Sequence, residues 1–329
     1  MDIYIEYIHC STDYNSLDGV FIPEYKLLMV DGTPPHVVEP KFPGLVDEIL
    51  DFGKYLDIEL LEEHASQIKK ISKEKSRFYK SGYRYLKMAG IILSETGQIY
   101  DDLADDNKEN LETKKLIIDL KKLLSKGKEA NGLEGHSKGK FRRFFLEAYT
   151  ANGYISYINN LCDNKVIWEI ISPNYNHIAD LLDKIVNLLR FLDYDVEAYY
   201  MAIFPEKLQH IYIKGLNLMI ISSEAGSYKD KFKRDCNTVE KTIKAERTYN
   251  IYQLRDEAQL TFYQAEIGEL NKLYDLFLKK AINSFIIAKK NHELLEKIYI
   301  RSMNFDKVDL LYNDIISKLK REIKAHKEE

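Results

Sequence analysis

The sequence has few cysteines, a single tryptophan and no long apolar run. The three cysteines, Cys10, Cys162 and Cys236, are far apart and form neither a CxxC pair nor a zinc-ligand spacing. No apolar stretch approaches the roughly 18 residues that span a bilayer, and the residues after Met1 lack the basic start of a signal peptide. These absences predict a cytoplasmic protein with reduced thiols and no membrane segment.

An excess of basic charge is also missing. Lys and Arg total 48 against 52 Asp and Glu, which gives a formal net charge of −4. The chain therefore has no overall basic field that would gather nucleic acid. The short basic stretch Lys138–Arg143 is more typical of a solvated entry into a strand. We expect no nucleic-acid partner.

The length of 329 residues is about twice that of a common domain, which predicts two domains. Between residues 125 and 140 the apolar periodicity stops in a stretch rich in Gly, Lys and Ser, SKGKEANGLEGHSKGK. Such a composition is typical of a linker. We therefore predict an N-terminal unit at residues 1–128 and a C-terminal unit at residues 138–329.

Short apolar runs predict strands, and apolar residues at steps of three and four predict long helices. The predicted strands lie near residues 3–8, 27–30, 144–146, 166–171, 195–200 and 218–221. The predicted helices cover residues 58–71, 85–99, 116–124, 181–189, 263–281 and 308–319, the last capped by Asn304. The run Leu27–Val30 is continuous, which is typical of a parallel strand buried on both faces. The sequence thus predicts an α/β protein with mainly parallel sheets and helical extensions.

The second half of the chain repeats the first at an offset of 191 residues (196 − 5), without a gap from Ile5 to Gly32. The two matched strands and the long helical stretch after each of them predict an internal duplication. Before its copy of the first strand, the second half has a further strand, turn and helix at Val166–Phe191 that the first half lacks. The matched residues are Ile5 and Val196, Leu17 and Leu208, Val20 and Ile211, Ile22 and Ile213, and the runs Leu27–Val30 and Leu218–Ile221.

Asp31 is the candidate catalytic residue. It directly follows the apolar run Leu27–Val30, as the Mg²⁺-binding aspartate follows a Walker B strand. The alternative is a simple turn, since Asp-Gly after a strand is also a common turn sequence.

A Walker B aspartate needs a phosphate-binding loop of the form GxxxxGK[ST], whose glycines, lysine and hydroxyl hold phosphate and Mg²⁺. In the second half, the turn after Val166–Ile171 stands at this place but is degenerate: Ile171 and Asn176 replace the glycines, His177 the lysine, and Ile178 the hydroxyl residue. The matching Walker B position is Ser222. The residues at this degenerate loop are Ser172, Pro173, Asn174, Asn176, His177 and Ile178.

The stretches His9–Val20 and Asp31–Gly44 resemble signatures of bacterial tandem P-loop NTPase-like proteins, a family of ATPases with two NTPase-like halves. The similarity continues more loosely through Phe141–Tyr157 and Asn291–Leu319. The resemblance implies two P-loop-NTPase-like units, ATP and Mg²⁺ as cofactors, and Asp31 on the Mg²⁺ side. The first phosphate loop would stand before the start of this sequence, and the second is degenerate, so we expect this chain not to bind the nucleotide tightly.

Two functions remain open at this point. The first is a pseudo-NTPase or scaffold, whose partner is a protein or a second copy bound through the incomplete N-terminal sheet or the helical arms. The second is an ATP-binding and ATP-hydrolysing protein that uses Asp31 with a phosphate loop encoded upstream or supplied by a partner.

Overall fold

The computed structural model describes residues 3–11, 13–33, 37–130, 139–173, 175–223, 243–255 and 257–328. The strands are β1 Glu6–His9, β2 Leu17–Ile22, β3 Leu27–Val30, β4 Phe141–Phe145, β5 Glu147–Thr150, β6 Gly153–Ser156, β7 Val166–Ile171, β8 Val196–Tyr200, β9 Leu208–Ile213, β10 Leu218–Ser223 and β11 Arg247–Asn250. The helices are α1 Ile58–Glu63, α2 Ala65–Leu103, α3 Asp106–Ala130, α4 Ile158–Cys162, α5 Tyr175–Phe191, α6 Glu257–Ser302 and α7 Phe305–Glu328. The chain is therefore mixed α/β, as the sequence predicts.

The chain divides into two compact lobes. The first lobe contains Met1–Lys80 and Ser284–Glu329, and the second contains Ser81–Asn283. The long helices α2 and α6 contribute residues to both. The domain boundary predicted between residues 128 and 138 stays a prediction, because residues 131–138 lie outside the described part of the chain.

The first lobe holds a three-stranded sheet in the order β1-β2-β3, and both strand pairs are antiparallel. The prediction that Leu27–Val30 is a parallel strand buried on both faces is therefore wrong. In the described residues β3 pairs only with β2, and Leu28, Met29 and Val30 are exposed. An unbroken apolar run indicates that a strand is suited to burial on both faces. The neighbouring elements that would bury β3 in this way are not found beside it in the described residues.

The second lobe holds a mixed six-stranded sheet in the order β11-β7-β10-β9-β8-β4. Strand β7 is parallel to both of its neighbours, and β4 is parallel to β8, while β9 is antiparallel to its neighbours. Helices α3 and α5 cover one face and build a large apolar core on it. "Mainly parallel" is thus corrected to mixed, because β8, β9 and β10 form an antiparallel meander inside the sheet.

The two meanders have the same strand register at the predicted offset. Strands β1, β2 and β3 have the register of β8, β9 and β10 at the offset of 191. Tyr7 pairs with Val20 as Ala198 pairs with Ile211. A bulge follows Ile8 in the first sheet and falls after the equivalent position, residue 199, in the second.

The turns of the two meanders also agree in backbone detail. A short 3₁₀ turn joins β2 to β3 and β9 to β10, at Pro23–Tyr25 and Lys214–Leu216. Each ends on a left-handed residue, Lys26 with φ 51° and ψ 32° and Asn217 with φ 47° and ψ 33°. Non-glycine residues rarely adopt this conformation, so the two caps extend the structural correspondence of the meanders to their turns.

The helical parts correspond as well, but the partners are exchanged between the lobes. Met303 matches Ala104 at an offset of 199 (303 − 104), and Leu254 matches Leu56 at an offset of 198 (254 − 56). In the first lobe Leu56 of the first repeat bridges Met303 of the second. In the second lobe Leu254 of the second repeat bridges Ala104 of the first. Each sheet is therefore accompanied by the terminal helix of the other repeat, α7 in the first lobe and α3 in the second.

In each lobe the long helices pack side by side through apolar contacts. In the first lobe Ile71 of α2 packs near Leu295 and Ile298 of α6. In the second lobe Ile99 of α2 lies in one cluster with Ile267 of α6. Despite their length, none of the described helices has a stretch apolar enough to cross a bilayer. Asn304 caps α7 as predicted, because its Oδ1 accepts the Lys307 N–H at 3.1 Å.

Candidate functional site

The predicted degenerate loop lies in the second lobe, between β7 and α5. The strand–turn–helix prediction for Val166–Phe191 is confirmed. Ser172 is buried directly after the strand, and its N–H donates to the Ser223 carbonyl at 3.2 Å. Pro173 follows, and the predicted site residue Asn174 lies outside the described residues. The first turn residue is thus held to the neighbouring strand by its backbone.

Tyr175, the first residue of α5, occupies the end of this turn. Its side chain is 3% exposed, and its ring stacks on Phe204 with centroids 4.9 Å apart. Its hydroxyl donates to Ser94 Oγ of α2 at 3.4 Å. The Lys207 ammonium lies over both rings, 5.1 Å from the Tyr175 centroid and 4.7 Å from that of Phe204. Aromatic rings and a cation thus fill the space beside the turn.

The next two predicted site residues have protein partners. Asn176 Oδ1 accepts a hydrogen bond from the Lys207 ammonium. His177 Nε2 lies 2.8 Å from Asp101 Oδ1 of α2. Both side chains are therefore engaged with neighbouring elements of the same lobe.

Ile178 points into the core. It is 2% exposed and belongs to the apolar cluster with Trp168 and Leu182. Apolar burial of this kind stabilises α5 against the sheet and leaves no polar atom at the position. A side chain here has no access to a bound ion.

Ser222, the residue at the Walker B-like position of the second repeat, lies in β10. Its N–H donates to His210 Nδ1 at 3.0 Å, and His210 itself is buried. The β10 backbone is thus held by a side chain of β9 at the end of the strand.

Asp31, the candidate catalytic residue, lies in the first lobe directly after β3. It is exposed, and its carboxylate accepts two hydrogen bonds from Thr33: the N–H at 2.8 Å on Oδ1 and the hydroxyl at 2.9 Å on Oδ2. This is the side-chain-to-backbone bond of an Asx turn. The structure therefore shows the turn geometry that was the alternative to a Walker B role.

The described residues contain no group of three or more His, Cys, Asp or Glu side chains that could hold a metal ion. Cys162 is a free thiol. Burial raises the pKa of the Cys162 thiol to about 11, so the thiol is protonated at neutral pH. Cys236 lies outside the described residues.

A second polar cluster surrounds Glu147 in the second lobe. This buried carboxylate accepts from Gln209 Nε2 at 2.8 Å and from Ser156 Oγ at 3.3 Å. Burial, and then the charge of Glu147, raise the pKa of nearby Tyr154 well above its ordinary value. The cluster joins β5, β6 and β9 through hydrogen bonds, which is a structural role.

The sequence prediction missed the residues that fill the loop region, namely Phe204, Lys207 and Asp101. Phe204 and Lys207 belong to the loop between β8 and β9, which the offset of 191 matches to Asp13 and Ser16. In both loops the N–H of the later residue donates to the carbonyl of the earlier one at 2.9 Å. The repeat could have pointed to this loop, whereas nothing local in the sequence places Asp101 beside it.

Comparison of the chain with protein-family models, with curated proteins and with solved structures found no match.

Proposed function

We propose that the chain is a pseudo-NTPase, a P-loop-NTPase-like scaffold that binds a protein partner and does not hydrolyse nucleotide. In this proposal the second lobe is the folded remnant of a nucleotide-binding unit, and the first lobe provides the partner surface. The strand–turn–helix of β7 and α5, beside a strand that matches Walker B in position, supports the P-loop-like assignment.

The observation that carries the proposal is the burial of Ile178. The hydroxyl that binds Mg²⁺ in a P-loop would stand at this position, and here an isoleucine lies in the core. The adjacent lysine position holds His177, which is paired with Asp101. Removing the positive charge and the Mg²⁺ ligand takes away the main electrostatic stabilisation of phosphoryl transfer, typically several kcal/mol.

The test is an ATP-turnover assay on the purified chain with Mg²⁺, together with calorimetric titration of ATP. We expect no turnover above the background of an enzyme-free control and no saturable heat of binding. The control is Asp31→Ala, which removes the remaining Walker B-like acid. Turnover in the unchanged chain that disappears in Asp31→Ala would contradict the proposal.

One observation favours a second candidate, an ATP-binding protein that uses Asp31. The equivalent of Asp31 is Ser222, which pairs with Ile170 near the end of β7 and so lies beside the turn that follows. A phosphate-binding loop supplied next to β3 would lie beside Asp31, as the turn after β7 lies beside Ser222. This candidate predicts ATP binding only after such a segment is added, and the binding should be lost in Asp31→Ala.

A further inference from the structure

The first lobe contains two segments that correspond to the two neighbours of β7 in the second lobe. Its sheet is equivalent to β8-β9-β10, and in the second lobe β10 is followed across the sheet by β7 and then β11. The offset of 199 matches β11, Arg247–Asn250, to the segment Glu48–Asp51. If Glu48–Asp51 lies beside the sheet as β11 does, the strand position between this segment and β3 is unoccupied.

The segment Glu48–Asp51 is held in the manner of β11. In the second lobe, Arg247 at the start of β11 pairs with Asp119 of α3. In the first lobe, Glu48 pairs with Lys318 of α7 at 3.0 Å. Both residues of each pair match at the offset of 199, and the signs of the two charges are exchanged. This shared pair sets Glu48 beside α7, as Arg247 at the start of β11 lies beside α3.

The last residue of each segment makes the same hydrogen bond. The Gly53 N–H donates to Asp51 Oδ1 at 2.9 Å, and the Tyr252 N–H donates to Asn250 Oδ1 at 3.2 Å. Asp51 and Asn250 match at the offset of 199. Both segments therefore end in the same side-chain-to-backbone hydrogen bond, although a 3₁₀ turn at Phe52–Tyr55 follows Asp51 and no strand is assigned to Glu48–Asp51.

The surfaces around the open position are apolar and exposed. Met29 of β3 is 42% exposed, whereas its equivalent Ile220 of β10 is 0% exposed. On α3 a stripe of three leucines is buried, whereas the equivalent stripe of α7 is only half-buried. The equivalent pairs are Leu116 and Ile315, Leu120 and Leu319, and Leu124 and Ile323. In the second lobe the core that covers the α3 stripe includes β7 and α5.

We propose that the first lobe binds a partner protein through one strand–turn–helix segment of that partner, which inserts as a parallel strand between β3 and Glu48–Asp51. The pairing of β10 with β7 sets the register, so the four residues Leu27–Val30 face the first four residues of the inserted strand. The helix that follows is amphipathic, as α5 is, and its apolar face covers the sheet.

A second copy of the chain does not fit this position. An edge-to-edge pairing through β3 would bring the partner copy's β2 alongside its β3, which is at least two strands. In the second lobe the single strand β7 lies between β10 and β11, so the equivalent position between β3 and Glu48–Asp51 would take one strand. The occupant is therefore a single strand that belongs to no sheet of its own.

The test uses the full chain and a fluorescent peptide with the sequence of Lys165–Leu192, the equivalent segment of the second repeat. The control peptide carries Trp168→Asp and Ile170→Asp. We expect saturable binding of the first peptide and none of the control. Hydrogen exchange at Leu27–Val30 and at Glu48–Asp51, fast in the free chain, should slow by about tenfold or more on binding.

Two variants of the chain make the location testable. Met29→Lys puts an ammonium where the inserted segment would bury it, and should weaken peptide binding by about tenfold or more. Leu310→Lys, at an exposed position on α7, should leave the affinity unchanged within about twofold. Because Met29 is exposed in the free chain, the first variant should fold.

The proposal is overturned if the peptide does not bind, if it binds Met29→Lys equally well, or if β3 already exchanges slowly in a free monomer. It is also overturned if light scattering shows a stable dimer that protects β3, since the occupant would then be a second copy. The inference supplies the partner of the scaffold proposed above, but the two fail separately. ATP turnover by the free chain would contradict the scaffold role and leave the peptide result unaffected.

Discussion

The two lobes contain the same meander, and they differ in what lies beside it. In the second lobe the meander is flanked by β7 and β4 and covered by α3 and α5, so the side chains of β10 are buried. In the first lobe the described residues place only β1, β2 and β3 in the sheet, and most of β3 is exposed. The same register and the same turns thus support one complete core and one partial core.

The difference teaches that the meander holds its shape without the strand beside it. The bulge, the 3₁₀ turn and the left-handed cap are set by local hydrogen bonds and by antiparallel pairing, which both lobes have. Burial is set by β7 and α5, which only the second lobe has. We therefore expect equivalent substitutions to have unequal effects in the two lobes.

The largest difference is expected for the equivalent leucines Leu120 of α3 and Leu319 of α7. Leu120→Ala leaves a cavity in the core of the second lobe and should lower the free energy of unfolding by about 3 kcal/mol. Leu319→Ala removes a half-buried side chain and should cost about 1 kcal/mol. Urea unfolding, with hydrogen exchange to assign each loss to its lobe, measures both.

A matched control for this pair is Leu310→Ala, because Leu310 is 70% exposed on α7. It should change the free energy of unfolding by no more than about 0.5 kcal/mol. Equal losses for Leu120→Ala and Leu319→Ala would show that the first lobe has a complete core, and the comparison of the lobes would no longer hold.

Much of the fold was predictable because local patterns determine it. The apolar runs placed β3 and β7 at their observed bounds, and the offset of 191 located the repeat. The environment of β3 was not predictable from its own residues. A strand with an apolar sequence can be central or at an edge, and only the neighbours that the tertiary structure provides decide which.

The position of the candidate site was predictable from the sequence, but the side chains that fill it were not. The sequence located the strand–turn–helix and showed that its glycines, lysine and hydroxyl were replaced. It could not show that Phe204 and Lys207 would fill the region, since they come from a loop about 30 residues further along the chain. Such contacts between distant segments follow from topology, and local sequence periodicity carries no information on them.

A smaller difference is expected at the two left-handed caps. Lys26→Gly relieves the steric cost of the left-handed conformation and should raise the free energy of unfolding by about 0.5 kcal/mol. Asn217 tolerates this conformation better, and its side chain accepts from the Tyr212 hydroxyl at 3.1 Å and donates to the Asn164 carbonyl at 2.9 Å. Asn217→Gly should therefore cost about 1 kcal/mol.

Thermal unfolding of Lys26→Gly and Asn217→Gly measures whether the two substitutions change stability in opposite directions. Stabilisation by both substitutions would mean that the Asn217 side chain contributes nothing in the second lobe. Destabilisation by both would mean that Lys26 makes a contact that the backbone comparison does not capture.

The smallest difference is expected for the ion pairs Arg247–Asp119 and Glu48–Lys318, in which the acidic and the basic residue are exchanged. It should appear as a dependence of the melting temperature on pH. In the second lobe, burial opposes ionisation of Asp119, but hydrogen bonds from Tyr249 and Arg247 outweigh it and lower the pKa of Asp119. In the first lobe, the hydrogen bond and charge of Glu48 raise the pKa of Lys318. Hydrogen bonds with Tyr249 and Asp119 also raise the pKa of Arg247, so Asp119 is the member of its pair that titrates on acidification, whereas Lys318 is the member of its pair that titrates at alkaline pH.

The signs of the two shifts give opposite pH windows. A lowered carboxyl pKa stabilises the folded state above the ordinary pKa, and this stabilisation is lost as pH falls through the lowered value. A raised lysine pKa stabilises the folded state below the ordinary pKa, and this stabilisation is lost as pH rises through the raised value. The difference in melting temperature between the unchanged chain and Asp119→Asn should therefore shrink on acidification, and that for Lys318→Met should shrink at alkaline pH.

Both differences should also decrease at high salt, because the pairs are solvent-accessible. A difference for Lys318→Met that stays constant with pH would mean that Glu48 and Lys318 do not pair in solution, and the argument that Glu48 lies beside α7 as Arg247 lies beside α3 would lose its main contact.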